Sequence, residues 1–277
     1  MTHSGRRPRI RIGTSGFSYD DWMDIFYPPK LKPNQRLEYY AKHFNTLELN
    51  STYYTLPAVP SLFGMLNKVG DNFDFFIKAH RDLTHTVKNA KATLPKFQGL
   101  IKLVRCEGKL GGTLLQFPAA FQCTGDNEDY LRWLVESLEG SRTVIEFRHS
   151  QWINDRTMDL LRELRAGYCI VDMPQVRALP SSRLELTADF AYVRFHGQNR
   201  EHWARASTRN ERYDYDYSDE ELQSWVPVIA DLSKQVKDTY VYFNNHYQGK
   251  AAKNAKTLEG FLESLQRGSG VERLPIG

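Results

Sequence analysis

The chain has 277 residues, with 37 Lys and Arg against 33 Asp and Glu, a formal net charge of +4. Apolar residues make up 41% and charged residues 25%, the composition of a globular protein with its own core. No apolar run approaches the roughly 18 residues of a membrane span. The basic start MTHSGRRPRIRIG is not followed by the apolar segment of a secretory leader, and Cys106, Cys123 and Cys169 form no CxxC pair. Membrane-spanning, disulfide-framework and zinc-ribbon classes are thereby excluded, and the expectation is a cytoplasmic protein with no membrane partner.

Short runs rich in β-branched and aromatic residues recur along the chain. In order they are Arg9–Gly13, Thr46–Asn50, Phe73–Lys78, Gly112–Gln116, Thr143–Phe147, Tyr168–Asp172, Phe190–Phe195 and Thr239–Asn244. Helical periodicity fills segments between them. Leu37, Tyr40, Ala41 and Phe44 share one face of Pro33–Phe44, and Leu131, Leu134, Val135 and Leu138 do so in Glu128–Leu138. Asp155–Arg165 repeats the pattern, Ser218 to Glu221 reads as a capping box that opens a helix through Leu232, and Ala251–Leu265 closes the chain. Strand followed by helix, repeated through one chain, predicts a (β/α)8 TIM-like barrel over residues 9–266, with tails at 1–8 and 267–277. The Pro-bounded stretch after Asp172 predicts a brief or missing sixth helix. Long loops are expected after the third strand, Ala79–Gly111, and after the seventh, Gly197–Tyr217.

In such a barrel the working face lies at the carboxyl ends of the strands. Glu48, Lys78, Glu146, Asp172 and Arg194 interrupt apolar strand runs there, where a charge is costly unless paired or solvated. Lys78, Arg148 and Arg194 come from three strands, and Arg grips carboxylate or phosphate with two parallel hydrogen bonds. The expected site uses Glu48, Glu146 and His196 for acid–base catalysis. Ser15, Asn50, Tyr53, Lys78, Arg148, Asp172, Arg194, Asn244 and Asn245 are expected to bind a small anionic substrate of phosphate, carboxylate or sugar type. On this reading, Arg194→Ala abolishes the ligand response and leaves the fold intact.

No HxH or HxxxH spacing supports a metal site, so no metal ligands are assigned, although a divalent metal is compatible with the residue types. Arg200, Arg205, Arg209 and Arg212 interleave with Trp203, Tyr213, Tyr215 and Tyr217, a pattern that also suits nucleic acid. A nucleic-acid-binding barrel or metal-dependent phosphodiesterase is therefore the alternative, and a non-catalytic ligand-binding or scaffold protein the third reading.

Several of these residues also carry a family resemblance. Gly13-Thr14-Ser15-Gly16 with Tyr19, Trp22 and Phe26-Tyr27-Pro28 is similar to the opening of the domain of unknown function 72 (YecE-like) family. So are Phe44 through Tyr54, Glu146-Phe147-Arg148-His149, Arg194-Phe195-His196-Gly197, and Phe243-Asn244-Asn245 with Asn254-Ala255. The resemblance runs in order from residue 9 to 266 and departs at Phe17, where Trp is expected. It implies a TIM-like barrel and carries over no activity and no catalytic residues.

Overall fold

A computed structural model describes residues 9–176, 179, 183–204 and 209–268. The expected tails fall almost entirely outside them. Eight strands form, at β1 (Arg9–Thr14), β2 (Thr46–Leu49), β3 (Asp74–Lys78), β4 (Leu110–Gln116), β5 (Thr143–Glu146), β6 (Gly167–Asp172), β7 (Phe190–Phe195) and β8 (Asp238–Phe243). All pairings are parallel, in the order β1-β8-β7-β6-β5-β4-β3-β2. The ring closes between β1 and β2 through a single parallel bridge, Ser15 to Glu48, where the Gly16 N–H donates to the Glu48 carbonyl at 2.8 Å. Below that bridge the Tyr40 hydroxyl replaces ladder bonds. It accepts from the Thr14 N–H at 2.9 Å and donates to the Thr46 carbonyl at 3.1 Å. Gly13 is needed for this approach, since a Cβ there would sit 2.4 Å from the Thr46 carbonyl oxygen. The protein is thus a (β/α)8 TIM-like barrel, as the strand pattern predicted.

Period-2 alternation divides each strand between two cores. Outward residues such as Ile10, Ile12, Leu47, Phe75, Ile77, Leu115, Ile145, Ile170, Val193 and Val241 pack under the helices. Inward residues fill the barrel: Phe76, Leu114, Val144, Cys169, Val171, Phe190, Tyr192, Tyr240 and Tyr242 form one cluster. Phe76 lies at its centre, with ring centroids 4.6 Å from Tyr192 and 4.7 Å from Tyr240. Truncation of Phe76 to Ala would cost roughly 3–5 kcal/mol.

The main helices are α1 (Arg36–Tyr40), α2 (Val59–Leu66), α3 (Ala90–Cys106), α4 (Gly125–Ser137), α5 (Asp155–Glu163), α6 (Asp219–Gln235) and α7 (Lys250–Gly268). Side-chain caps set three of their starts. Thr124 and Asn154 accept from the N–H groups of Asn127 and Thr157, and Ser218 with Glu221 makes the reciprocal box read from the sequence. The connection after β3 is largely helical, because α3 buries Leu94, Phe97, Ile101 and Val104 along one stripe despite Pro95. Among the described residues no helix lies between β6 and β7, and the segment after β7 holds only short helical turns at Arg200–Ala204 and Arg209–Arg212. Among the described residues, no helix is long and apolar enough to cross a membrane.

Candidate functional site

The inward positions one step above the aromatic cluster are polar: Glu48 on β2, Lys78 on β3, Gln116 on β4, Glu146 on β5 and Arg194 on β7. Arg148, His196 and Asn244 follow with the same parity just past β5, β7 and β8. Arg194 is the hub and is only 1% exposed. Its Nη2 donates to Glu48 Oε1 at 2.6 Å and to Ser15 Oγ at 3.3 Å, and its Nη1 to Glu146 Oε2. The second Glu48 oxygen accepts from the Tyr192 hydroxyl at 2.6 Å. The other Glu146 oxygen accepts from Arg148 Nε. Cys169 directs its Sγ at Glu146 Oε2 from 3.8 Å.

This bonding decides what each group can do. Burial opposes the ionised form of Glu146, but Arg148 and Arg194 outweigh it and hold the carboxyl well below the usual range. Glu146 is thus a fixed anion with its oxygens occupied by guanidinium groups. His196 is completely buried, and Arg148 Nη2 lies 3.0 Å from its Nε2. Its other ring nitrogen, Nδ1, lies 3.0 Å from Asn244 Nδ2, and Glu146 Oε1 lies 3.4 Å from Nε2, so a donor faces each ring nitrogen and a carboxylate stands beside one of them. Burial first, and Arg148 second, push the imidazole down to about 3 and keep it neutral.

Above this layer opens a cleft of about 1130 Å³. Its floor presents Lys78, Gln116, Arg148, Asn244 and Asn50. Its walls carry Tyr19, Tyr53, Tyr54, Trp203 and Tyr213. The Arg148 guanidinium lies 5.2 Å from the Trp203 ring centroid, and the Lys78 ammonium 4.8 Å from that of Tyr53. Arg148 Nη1 has no hydrogen-bond partner among the described residues. Lys78 makes one hydrogen bond there, to Gln116 Oε1 at 3.0 Å, and no ion pair. Burial first, and the Arg194 charge second, push its ammonium down to about 8. Asn50 Oδ1, Trp203 Nε1 and Arg212 Nε are buried polar atoms of the lining without partners among the described residues.

Of the expected site residues, Asn50, Tyr53, Lys78, Arg148 and Asn244 line the cleft. Ser15, Glu48, Glu146, Arg194 and His196 are brought together beneath it as a buried hydrogen-bonded layer. Arg194 cannot be truncated with the fold spared, because two buried carboxylates would lose their shared counter-charge at a cost of about 3–5 kcal/mol. Asp172 and Asn245 belong to neither group. Their parity on β6 and beyond β8 turns them outward. Asp172 accepts from the Tyr217 hydroxyl at 3.0 Å, from Trp225 Nε1 at 2.8 Å and from Gln198. Asn245 donates to the Tyr215 carbonyl and to Asn254 Oδ1, both at 2.8 Å. Both fasten the segment after β7 to the barrel wall.

The sequence reading gave no site role to Tyr192, Gln116, Cys169 or His85, although the first three share the parity of Arg194, Glu146 and Lys78. In the Arg-rich segment Arg212 reaches the cleft and Arg200 is exposed, while Arg205 and the Arg209 side chain lie outside what is described. Among the described residues no group of three His, Cys, Asp or Glu side chains is arranged to hold a metal ion.

Residues 11–275 match the family described as Protein of unknown function DUF72. The UPF0759 protein YunF of Bacillus subtilis (strain 168) is 26% identical over 96% of this chain and 99% of its own length. The UPF0759 protein YecE of Escherichia coli (strain K12) is 28% identical over 52% of this chain and 50% of its own. A DUF72 family protein from Thermotoga maritima MSB8 is 40% identical, with a TM-score of 0.86 over 92% of this chain and 99% of that one. One from Enterococcus faecalis V583, 24% identical, shares the fold with a TM-score of 0.83 over 91% and 95%. With a match over nearly its whole length and a close structural counterpart, the chain belongs to the DUF72 family.

Proposed function

We propose that the cleft is the substrate site of an enzyme acting on a small anionic organic molecule, one that bears a carboxylate or phosphate. The observation that carries this reading is the charge balance of the barrel mouth. Three cations, Lys78, Arg148 and Arg194, converge with two carboxylates, Glu48 and Glu146. Both carboxylates are fully buried and spent on Arg194, Arg148 and Tyr192. The cleft therefore meets Lys78, Arg148 and the amides but neither of these carboxylates, and the two carboxylates that do line it, Asp20 and Asp21, are solvent-exposed, with Asp20 paired to Arg36. A low-dielectric floor with fixed donors favours an anion more strongly than the same groups in water.

Arg148 receives the anionic group through Nη1, and the amides of Asn244 and Asn50 orient the rest of the molecule. The aromatic walls enclose its apolar or ring portion. Proton transfer passes to groups that face the cleft, because Glu146 and His196 are locked in single protonation states near neutral pH. Lys78 is the titrating group on the floor, with its proton exchangeable near pH 8.

The test is thermal unfolding of the full chain against lactate, inorganic phosphate and a matched chloride control. A rise in unfolding temperature with lactate or phosphate, but not with chloride, is expected. Arg148→Met should remove the rise. Equal responses to all three salts, or an undiminished rise in Arg148→Met, would refute the anion site.

A further inference from the structure

We propose that the Lys78 ε-amine is a nucleophile that forms an imine with the carbonyl carbon of a 2-oxo acid whose carboxylate rests on Arg148. This deepens the anion-site reading and rests on it.

Position is the first argument. Lys78 ends β3 with inward parity, so its side chain rises from the barrel interior onto the cleft floor. It is the only lysine of the described lining, which also holds no cysteine. Partnership is the second. Ammonium groups in protein interiors ordinarily find a carboxylate. Both nearby carboxylates are already engaged by Arg194, Arg148 and Tyr192, and the nearest acceptor left to Lys78 is the neutral Gln116 amide at 3.0 Å. Arg148 on the same floor and Arg194 just beneath it add like charge. Such an environment favours the free amine, in agreement with the fall toward pH 8.

The third argument is the pairing of Lys78 with Arg148. They come from β3 and the end of β5, two strands apart, and both face one cleft. A 2-oxo acid has its carboxylate directly bonded to its carbonyl carbon, so a cation and a nucleophile on one floor match its two functional groups.

The chemistry balances without any oxidant or reductant. The amine lone pair attacks the carbonyl carbon, and the oxygen takes the electron pair and the proton released by nitrogen, giving a carbinolamine. The C–O bond then breaks, the oxygen leaves as water after gaining a second proton, and nitrogen forms the C=N bond. In its protonated form the imine places one positive charge where the ammonium had it, still within reach of Gln116. It draws electrons from the adjacent carbon and acidifies the C–H bonds there. His85 lines the same cleft, with its ring 5.0 Å from Tyr53. Burial first, and Lys78 second, push His85 down to about 4, so it stays neutral there and can take part in a hydrogen bond with the bound acid. The class of reaction implied is carbon–carbon bond formation or cleavage, or dehydration, next to the carbonyl of a 2-oxo acid.

The experiment is reductive trapping on the full chain. Protein is incubated with pyruvate at pH 8, treated with sodium borohydride, and read by intact mass and peptide mapping. One reduced pyruvyl adduct on the peptide containing Lys78 is expected. It should disappear in Lys78→Arg and Lys78→Met, and excess lactate should suppress it by occupying the Arg148 site. Adduct spread over surface lysines, or unchanged in Lys78→Arg, would overturn the proposal. Stabilisation by lactate without any pyruvyl adduct would overturn the imine and leave the anion site standing. An adduct at Lys78 that lactate does not suppress would keep the imine and remove Arg148 as the anion holder. Neither stabilisation nor adduct would overturn both.

Discussion

The two mouths of the barrel carry similar charges and use them differently. At the amino-terminal mouth, Arg9 and Arg142 both reach Asp238, at 2.8 and 2.7 Å, and Arg11 reaches Asp74 at 3.2 Å. The Arg11 guanidinium also donates through Nη1 to the Asn72 and Asn45 carbonyls and through Nη2 to Asn72 Oδ1. The Arg9 and Arg142 side chains remain 30% and 33% exposed, and water screens their pairs. At the carboxyl-terminal mouth, Glu48, Glu146 and Arg194 are sealed from water, and the leftover cations face an aromatic-walled cleft. Charge composition alone does not decide what a mouth presents. What leaves cations facing the cleft here is the burial of Glu48 and Glu146 below it, which is set by strand parity.

The sharpest way to break this comparison is to remove one carboxylate from each mouth. Glu146→Gln leaves Arg148 and Arg194 without a shared counter-charge in a dry site and should destabilise the fold by about 3–5 kcal/mol. Asp238→Asn leaves two arginines that can turn to water and should cost about 1 kcal/mol or less. Urea unfolding at pH 7 measures both. Equal losses would mean that the two mouths are energetically alike.

A smaller effect is expected within the buried layer. The Tyr192 hydroxyl donates to the fully buried Glu48 carboxylate, which is paired with Arg194, so Tyr192→Phe removes a hydrogen bond within an ion pair and should cost about 1.5–3 kcal/mol. Its effect on the cleft should be indirect. A Tyr192→Phe protein that unfolds like the parent would show that Arg194 alone satisfies Glu48.

Much of this architecture is legible in the residues, and the reason is periodicity. Each strand appears as a β-branched or aromatic run because both faces of a barrel strand are buried, one under helices and one in the interior. The helices α4, α5 and α6 announce themselves by apolar spacing, with Ser218 and Glu221 marking a start. By contrast α3 holds Leu94, Phe97, Ile101 and Val104 at helical spacing but is interrupted by Pro95 and Gly99, and α2 begins with Val59-Pro60 and contains Gly64. Those residues mimic loop signals. In the site, the charged strand ends point to a polar cluster at one mouth. Their depth is not written in residue type. Glu146 and Lys78 look alike as charges at strand ends, yet one is sealed below the floor and the other stands on it. Counting parity from Cys169 and Val171 would have turned Asp172 outward, and counting from Tyr242 and Asn244 would have done the same for Asn245.

Acid should sharpen the contrast next. His196 is held down to about 3, against a value near 6.5 for an unfolded histidine. Between these values the unfolded chain binds a proton that the folded one refuses, so stability falls as pH falls from 6.5 toward 3. The slope from one such group is about 1.4 kcal/mol per pH unit. His85, pushed down to about 4, acts in the same direction. Glu146 enters only below the ordinary carboxylate range: its folded value is depressed, so its contribution is present above pH 4.5 and is lost as pH falls further. Burial raises Asp74 and Asp172, which act in the opposite sense, so the reading is the difference between parent and variant: from pH 6.5 to 5, His196→Asn should flatten the slope by about one proton's worth. An unchanged slope would place the His196 ring in contact with water.

A further small effect has the opposite sign. Lys78 is a cation without an ion pair among the described residues, held on the floor beside Arg148 and above Arg194. Lys78→Met keeps most of the volume and discards the charge, so it should stabilise the chain by about 1 kcal/mol. Its folded pKa near 8 lies below the unfolded value near 10.5. Between them the unfolded chain holds the extra proton, so the wild type gains stability as pH rises through that window. The advantage of Lys78→Met is thus full below pH 8 and fades toward pH 10.5. Thermal unfolding at pH 7 and pH 10 reads the difference. A variant less stable than the parent at pH 7 would mean that the Lys78 charge holds the floor together. A more stable one that no longer responds to lactate would mark Lys78 as a residue whose charge serves binding at the expense of the fold.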